Sequence, residues 1–281
     1  MHPKEVLNYH QLLPKRSLGQ NFLFDEGILR RIVTAGEVNE SDEVLEVGPG
    51  IGALTAVLAQ EAASVTAVEL DGRFIPILEN ELTPYDNVNI VHGDILTENP
   101  ADFFTKPYKV VANVPYYITG AILRHLLSSN PKPSRMVLTM QKEVAQRVTA
   151  SPSQMSILSV SVQFYGQATI VDTIKAGAFW PRPKVDSAVI VIDLEKTAVD
   201  HESIDEKKFF RLVKVGFAQK RKQLQKNLRA LGYPRESIMA KMEQAAIAPN
   251  RRAQSLSIAD WVRLYEAFEN ESRSSGDGST A

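Results

Sequence analysis

The stretch Val44-Leu45-Glu46-Val47-Gly48-Pro49-Gly50-Ile51-Gly52-Ala53 is an apolar run that ends in a glycine-rich turn. A run of this kind, followed by a helical pattern from about Leu54, reads as the opening of a βαβ unit. Glycine lets the backbone turn tightly and approach a ligand closely, as a nucleotide-like molecule at a strand end requires. Gly48, Gly50 and Ala53 fit the dinucleotide fingerprint, so the loop by itself leaves a nicotinamide dinucleotide and S-adenosylmethionine both open.

Outward from that turn, strands are expected at 43–47, 65–69, 88–91, 109–113 and 135–140, alternating with helices from about Leu54, Arg73, Gly120 and Glu143. This rhythm predicts an α/β fold, a Rossmann-like parallel sheet with helices on both faces. Ligands of such sheets lie outside the carboxyl ends of the strands, where this order gathers Gly48, Glu69, Asp94 and Asn113. Glu69, at a strand end 21 residues past Gly48, has the spacing of a carboxylate that accepts ribose hydroxyls. Two further strands, 168–174 and 187–194, are expected to close the sheet with an antiparallel edge. Beyond a polar linker at 195–205, apolar residues recur at helical spacing, among them Phe209, Leu212, Val213, Leu224 and Leu228. The expected domains are therefore 1–199, the α/β domain, and 200–270, a small all-helical domain, with a disordered tail at 271–281.

Composition narrows the function. The 281 residues include no cysteine, which excludes disulfides, thiolate metal sites and cysteine nucleophiles. The five histidines lack metal-ligand spacing, so no metal site is expected. Residues 1–14 lack the apolar core of a signal peptide, and the charge-free run 148–171 is too rich in Ser and Gln for a membrane span. A cytoplasmic protein with no membrane partner is expected, most simply a monomer.

Thirty-two basic against 33 acidic residues leave a charge of −1, which argues against a nucleic-acid partner until its distribution is read. Residues 40–109 hold 13 acidic and 3 basic side chains, whereas 207–229 hold nine Lys or Arg and no acid. The second segment has the footprint of a phosphate-binding surface. Lys220, Arg221 and Lys222 are its densest cluster, with Arg251 further along the domain and Lys15 and Arg16 in the amino-terminal segment.

Asn113-Val114-Pro115-Tyr116, at the end of the fourth expected strand, points to the chemistry. The amine of adenine is a poor nucleophile because its lone pair is delocalised into the ring. A site that methylates it should accept hydrogen bonds from both amine protons and stabilise positive charge as it develops. The Asn113 side-chain oxygen offers one acceptor, and a backbone carbonyl of the turn held by Pro115 offers another. Tyr116 supplies a flat face for the base, a contact worth roughly 1–3 kcal/mol. Asn in place of Asp keeps the site neutral beside a sulfonium.

These motifs, with Lys15-Arg16-Ser17-Leu18-Gly19-Gln20-Asn21-Phe22-Leu23 and Phe179-Trp180-Pro181-Arg182-Pro183-Lys184-Val185-Asp186-Ser187-Ala188-Val189, resemble the ribosomal RNA adenine N6,N6-dimethyltransferase family from about residue 14 to 268. The resemblance implies a class I methyltransferase domain that uses S-adenosyl-L-methionine, joined to a helical RNA-binding domain. It implies dimethylation of two adjacent adenosines in a hairpin loop near the 3′ end of small-subunit rRNA, within an assembling 30S particle. By the same resemblance Asn21, Leu23, Gly48, Gly50, Glu69, Asp94 and Asn113 hold the cofactor. Tyr116 stacks the target base, Asn113 and the Pro115 turn grip its amine, and Phe179 packs its other face.

Arg252-Ala253-Gln254-Ser255-Leu256-Ser257 is similar to the ending of the small-subunit enzymes, with Gln254 where Glu is more usual. Three readings stand as alternatives: a large-subunit (23S) rRNA methyltransferase of the macrolide-resistance type, an RNA-binding assembly factor without activity, and a nicotinamide oxidoreductase. The last rests on the glycine loop alone.

Overall fold

The computed structural model describes residues 2–197 and 199–274, residues 270–274 by their backbone alone. Nine strands occur in chain order: β1 (Phe22–Leu23), β2 (Glu43–Val47), β3 (Ser64–Glu69), β4 (Val88–His92), β5 (Lys109–Asn113), β6 (Arg135–Gln141), β7 (Gln167–Ile174), β8 (Phe179–Trp180) and β9 (Ser187–Asp193). Seven of them form one sheet in the order β4-β3-β2-β5-β6-β9-β7. The first five are parallel, and β9 and β7 pair antiparallel, so the expected α/β class and its antiparallel edge are both present.

The chain divides into two compact units, one of Met1–Gln146 with Gln167–Lys196 and one of Arg147–Gly166 with Thr197–Ala281. Residues 147–166 thus fall in the helical unit, whereas the sequence places them in the 1–199 domain. Their contacts give the reason. The Phe164 ring stacks on Phe209 at 4.5 Å, and the Tyr165 hydroxyl donates to Glu206 Oε2 at 2.9 Å. The backbone N–H groups of Ser153 and Met155 both donate to the Gln254 carbonyl, at 3.0 and 3.1 Å.

In the sheet unit the strand-forming residues Val44, Leu45, Val65, Ala67, Val110, Val111, Val137 and Leu138 are fully buried, as continuous apolar runs are when helices cover both faces of a parallel sheet. Helix Glu26–Ala35 starts where the Asp25 carboxylate accepts the Ile28 N–H at 3.0 Å, and its spacing turns Leu29, Ile32 and Val33 to the core. That helix, helix Pro3–Tyr9 and the pair β1–β8 are elements the sequence reading does not predict. In the β1–β8 pair, Phe22 lies opposite Trp180 and Leu23 opposite Phe179, which fastens the amino-terminal segment to the sheet unit.

In the helical unit, Asp205 caps helix Glu206–Gly216, which buries Phe209, Leu212, Val213 and Gly216. A Cβ on Gly216 would run into the buried Trp261 ring and stand 3.0 Å from Leu224, so only glycine fits that crossing. Lys207, Lys208, Arg211 and Lys214 stay exposed on the other face. Ser257 and Asp260 cap the last helix reciprocally, the Asp260 N–H donating to Ser257 Oγ at 3.1 Å and the Ser257 N–H to Asp260 Oδ2 at 2.9 Å. That helix runs to Ser274, and the remainder of the expected disordered tail lies outside the described residues. No helix among the described residues is long and apolar enough to cross a membrane.

Candidate active site

The carboxyl ends of β2, β3 and β5, together with the loop after β4, border one cavity that opens in part to solvent. Asn21, Leu23, Gly48, Gly50, Glu69, Asp94, Asn113, Pro115 and Tyr116 all line it. Seven of these nine residues meet because parallel strands deliver their ends to one edge of the sheet, and Asn21 and Leu23 join them from the amino-terminal segment.

The glycine turn is built as its composition demands. Gly48 has φ +69°, and nothing stands within 4 Å of where its Cβ would be, so its backbone lies bare to the cavity. Gly50 has φ +59°, and a Cβ there would stand 2.9–3.0 Å from the Phe22 ring. The Gly50 N–H donates to Glu69 Oε2 at 3.0 Å, and the Asp71 N–H to Glu69 Oε1 at 2.8 Å. Each Glu69 oxygen keeps a further lone pair for a ligand hydroxyl. Burial raises the Glu69 pKa, against the lowering effect of those two N–H bonds. Asp94 Oδ1 accepts the Leu96 N–H at 3.0 Å.

The amino-terminal segment is held over the cavity at two points. At one, Asn113 Nδ2 donates to the Asn21 carbonyl at 3.1 Å. At the other, Asp71 gathers Arg73 through Nη2 at 2.6 Å, Gln20 Nε2 at 2.9 Å and Lys15 Nζ at 3.4 Å. Arg73 Nη1 also donates to the Leu13 carbonyl at 3.3 Å. The Arg73 guanidinium holds the Asp71 carboxyl well below the usual carboxylate range, against the effect of its burial. Sequence reading missed Asp71, Gln20 and Arg73, because what the neighbouring Asp71 and Arg73 reach, Gln20 with Lys15 and the Leu13 carbonyl, lies 51–60 residues away and no local spacing joins them.

At the end of β5 the acceptors sort themselves. An amide that donates through Nδ2 to Asn21 offers Oδ1 as its remaining acceptor. The Pro115 carbonyl accepts from the Ile118 N–H at 3.3 Å and from Thr119 Oγ1 at 3.2 Å, whereas that of Val114 takes no backbone hydrogen bond among the described residues. Tyr116 is half-buried, its hydroxyl 2.7 Å from Ser187 Oγ. Burial pushes its pKa up, so the phenol stays protonated and is no base. Ser187, buried in β9, thereby fixes the ring, a role its motif alone does not disclose.

Glu46 is a further residue the sequence reading passed over. It lines the cavity at 1 % exposure, and burial raises its pKa to about 8. A carboxylate between Leu45 and Val47 in a strand buried on both faces is the signal that marks it. With Glu69 and Asp94 it gives the cavity acidic residues, and no Lys, Arg or His is among those lining it. Such walls suit a cationic nucleoside better than a pyrophosphate, which weighs against the nicotinamide reading of the glycine loop.

Two sequence expectations are corrected. Phe179 does not line the cavity: its ring, 3 % exposed, packs in the core with Leu23, Ile174 and Val189, so it has no free face for a base. Arg251 is engaged within the helical unit rather than free, since Nη1 pairs with Asp260 Oδ2 and Nε with Ser255 Oγ, both at 3.1 Å, and Nη2 bonds the Ser255 carbonyl. Arg16, Lys220, Arg221 and Lys222 are exposed, and Lys15 keeps its head half in solvent beside Asp71.

Comparison with known proteins agrees with this geometry. The sequence pattern of the family described as ribosomal RNA adenine dimethylase matches residues 12–270. A protein of Dehalococcoides mccartyi named ribosomal RNA small subunit methyltransferase A is 40 % identical over 264 residues, 93 % of this chain and 90 % of that one. Among solved structures, a dimethyladenosine transferase from Plasmodium falciparum superposes with a TM-score of 0.78 at 25 % identity, over 89 % of this chain and 98 % of that one. The 23S rRNA methyltransferase ErmE gives 0.73 at 28 % identity, over 89 % of this chain and all of that one.

Proposed function

Because the chain belongs to the ribosomal RNA adenine dimethylase family, we infer that it transfers methyl groups to N6 of two adjacent adenosines in a hairpin loop near the 3′ end of small-subunit rRNA. The observation that carries this reading is the orientation of Asn113. Its Nδ2 is committed to the Asn21 carbonyl, so Oδ1 is what it offers to the cavity that Tyr116 also lines.

S-adenosylmethionine, when bound, supplies an electrophilic methyl on a sulfonium. The bare Gly48 backbone and the spare lone pairs of Glu69 and Asp94 fit its nucleoside, and Asn21 and Leu23 cover it from the amino-terminal segment. Asn113 Oδ1 accepts one proton of the adenine amine and the Val114 carbonyl the other. The pair draws the nitrogen toward tetrahedral geometry and stabilises its developing charge, an effect of the size found when preorganised dipoles face a transition state. Tyr116, locked by Ser187, holds the base by its face. The amine would thus be held toward the methyl that the cofactor supplies, and because a methylated amine would be a cation that can release its proton to water, no residue need act as base. The uncharged acceptors of Asn113 and the Val114 carbonyl can hold the monomethyl amine for a second round.

We place the RNA backbone on the exposed cations of the 200–270 domain, Lys220, Arg221 and Lys222 foremost, and the enzyme in the cytoplasm as a monomer acting on an assembling 30S particle. The curated relative bearing the small-subunit name, at 40 % identity, favours that substrate over the 23S reading. Methyl-labelled cofactor is to be offered with naked small-subunit rRNA, immature 30S particles and 23S rRNA, and the products mapped by mass. Two adjacent dimethyladenosines in the small-subunit RNA are expected. Modification of a single 23S adenosine would instead assign the large-subunit reaction, and RNA binding without transfer an assembly factor.

A further inference from the structure

Two large apolar side chains on the rim of the cavity stand well out in solvent, Leu70 at 43 % and Tyr117 at 57 % exposure. Leu70 follows Glu69 just past the end of β3. Tyr117 has no role in the chemistry described so far. It sits in the turn after Pro115, beyond the end of β5. Tyr116 turns in to Ser187, while Tyr117 lies along the amino-terminal segment: a Cβ on Gly19 would stand 3.4 Å from its Cδ1 and 3.5 Å from its Cε1. Contact along that side supports the ring and leaves most of it open.

A base drawn out of an RNA loop to reach Asn113 leaves its chain neighbour with one face unstacked. An exposed aromatic at the mouth of the site can take that face, and base–aromatic stacking tolerates any base because each has a π-face. Tyr116 and Tyr117 are adjacent in the chain and both border the cavity, which suits them to the bases of adjacent nucleotides. We propose that Tyr117 forms a second nucleobase subsite, stacking the base next in the RNA chain to the adenine held by Tyr116. The proposal rests on the reading of the site as an RNA adenine methyltransferase.

The test uses the full chain and a hairpin RNA carrying 2-aminopurine at each nucleotide flanking the target in turn, with KM measured separately for RNA and cofactor. Wild-type protein should quench the fluorescence at one flank. Tyr117→Ala should lose that quench and raise the KM for RNA about five- to a hundredfold, with the cofactor KM within about twofold, whereas Tyr117→Phe keeps both values. An alanine variant that still quenches with an unchanged RNA KM overturns the subsite. So does a loss confined to cofactor KM, which would make Tyr117 a support for the Gly19 turn. If the wild type binds the hairpin but methylates no RNA at all, the functional reading itself fails.

Discussion

Asn113 Nδ2 donates to the Asn21 carbonyl at 3.1 Å, across 92 residues of sequence, and so ties the end of β5 to the segment that covers the cavity. One side chain thus fixes the covering segment with its nitrogen and presents its oxygen to the reacting amine. Asn113→Ala should lower the rate of methyl transfer about 10²–10³-fold, the scale found for losing one preorganised group at a developing charge. It should weaken cofactor binding only about fivefold, the worth of one neutral hydrogen bond. Initial rates at varied cofactor separate the two effects, and near-normal turnover would contradict the mechanism.

Asp71 is the second fastening. Its side chain is 3 % exposed and receives Arg73, Gln20 and Lys15. Asp71→Ala leaves these donors without their acceptor and frees the segment that carries Lys15 and Arg16, both trypsin sites. Cleavage there should quicken about tenfold or more, and the cofactor KM should rise with little change in kcat, since hydrogen bonds to a charged group contribute about 1.5–3 kcal/mol. Lys15→Ala should do far less, because its half-exposed ion pair is worth about 1 kcal/mol at most. Equal effects from the two variants would deny Asp71 its central place.

What could be read in advance followed local pattern. The runs around Val44, Val65, Val110 and Val137 announce buried strands by their own composition, and strand ends placed by a βαβ rhythm bring Gly48, Glu69, Asp94 and Asn113 together without further information. The Asp71 cluster and the Tyr116–Ser187 bond join positions 51–71 residues apart and leave no periodic trace. Phe179 and Arg251 mislead a sequence reading for one reason: an aromatic or a cation shows its chemistry in the sequence but not whether a fold has already used it. Residues 147–166 carry too few charges for charge pattern to assign them, and contacts such as the stacking of Phe164 on Phe209 and the Tyr165–Glu206 bond allot them to the helical unit.

Phe179 tests that distinction. Truncating a core aromatic costs about 3–5 kcal/mol, so Phe179→Ala should lower the melting temperature of the sheet unit by roughly ten degrees. Protein that remains folded should transfer methyl groups with an RNA KM near that of the wild type. Tyr116→Ala should show the opposite pattern, with little change in melting and a steep loss in use of RNA. A Phe179 variant of unchanged stability that fails only with RNA would restore the ring to the base site.

The cations of the helical unit divide in the same way. Lys220, Arg221 and Lys222 are exposed, whereas Arg251 is bound by Asp260 and Ser255. Replacing the three exposed residues by alanine should weaken RNA binding and reduce the slope of log K against log salt by about one for each phosphate left without its cation, without altering the melt. Arg251→Ala should lower the melting temperature and leave the salt slope unchanged. A triple variant with the wild-type slope would remove this cluster from the RNA path.

Glu46 sets a pH dependence on the fold itself. Burial moves its pKa from 4.5 to about 8, the Glu69 charge pushes the same way, and Thr55 opposes both. Between those values the unfolded chain has released a proton that the folded chain keeps. The stability owed to this group is therefore complete below pH 4.5 and falls as pH rises toward 8, by up to about 5 kcal/mol over the window. Glu46→Gln keeps the shape and removes the titration. Its melting temperature should lie near that of the wild type at pH 5 and several degrees above it at pH 8, because only the wild type must hold a proton that solution increasingly withdraws. Parallel melting curves across that range would show that Glu46 ionises as an ordinary carboxylate, with water reaching its Oε2 oxygen, which has no protein hydrogen-bond partner.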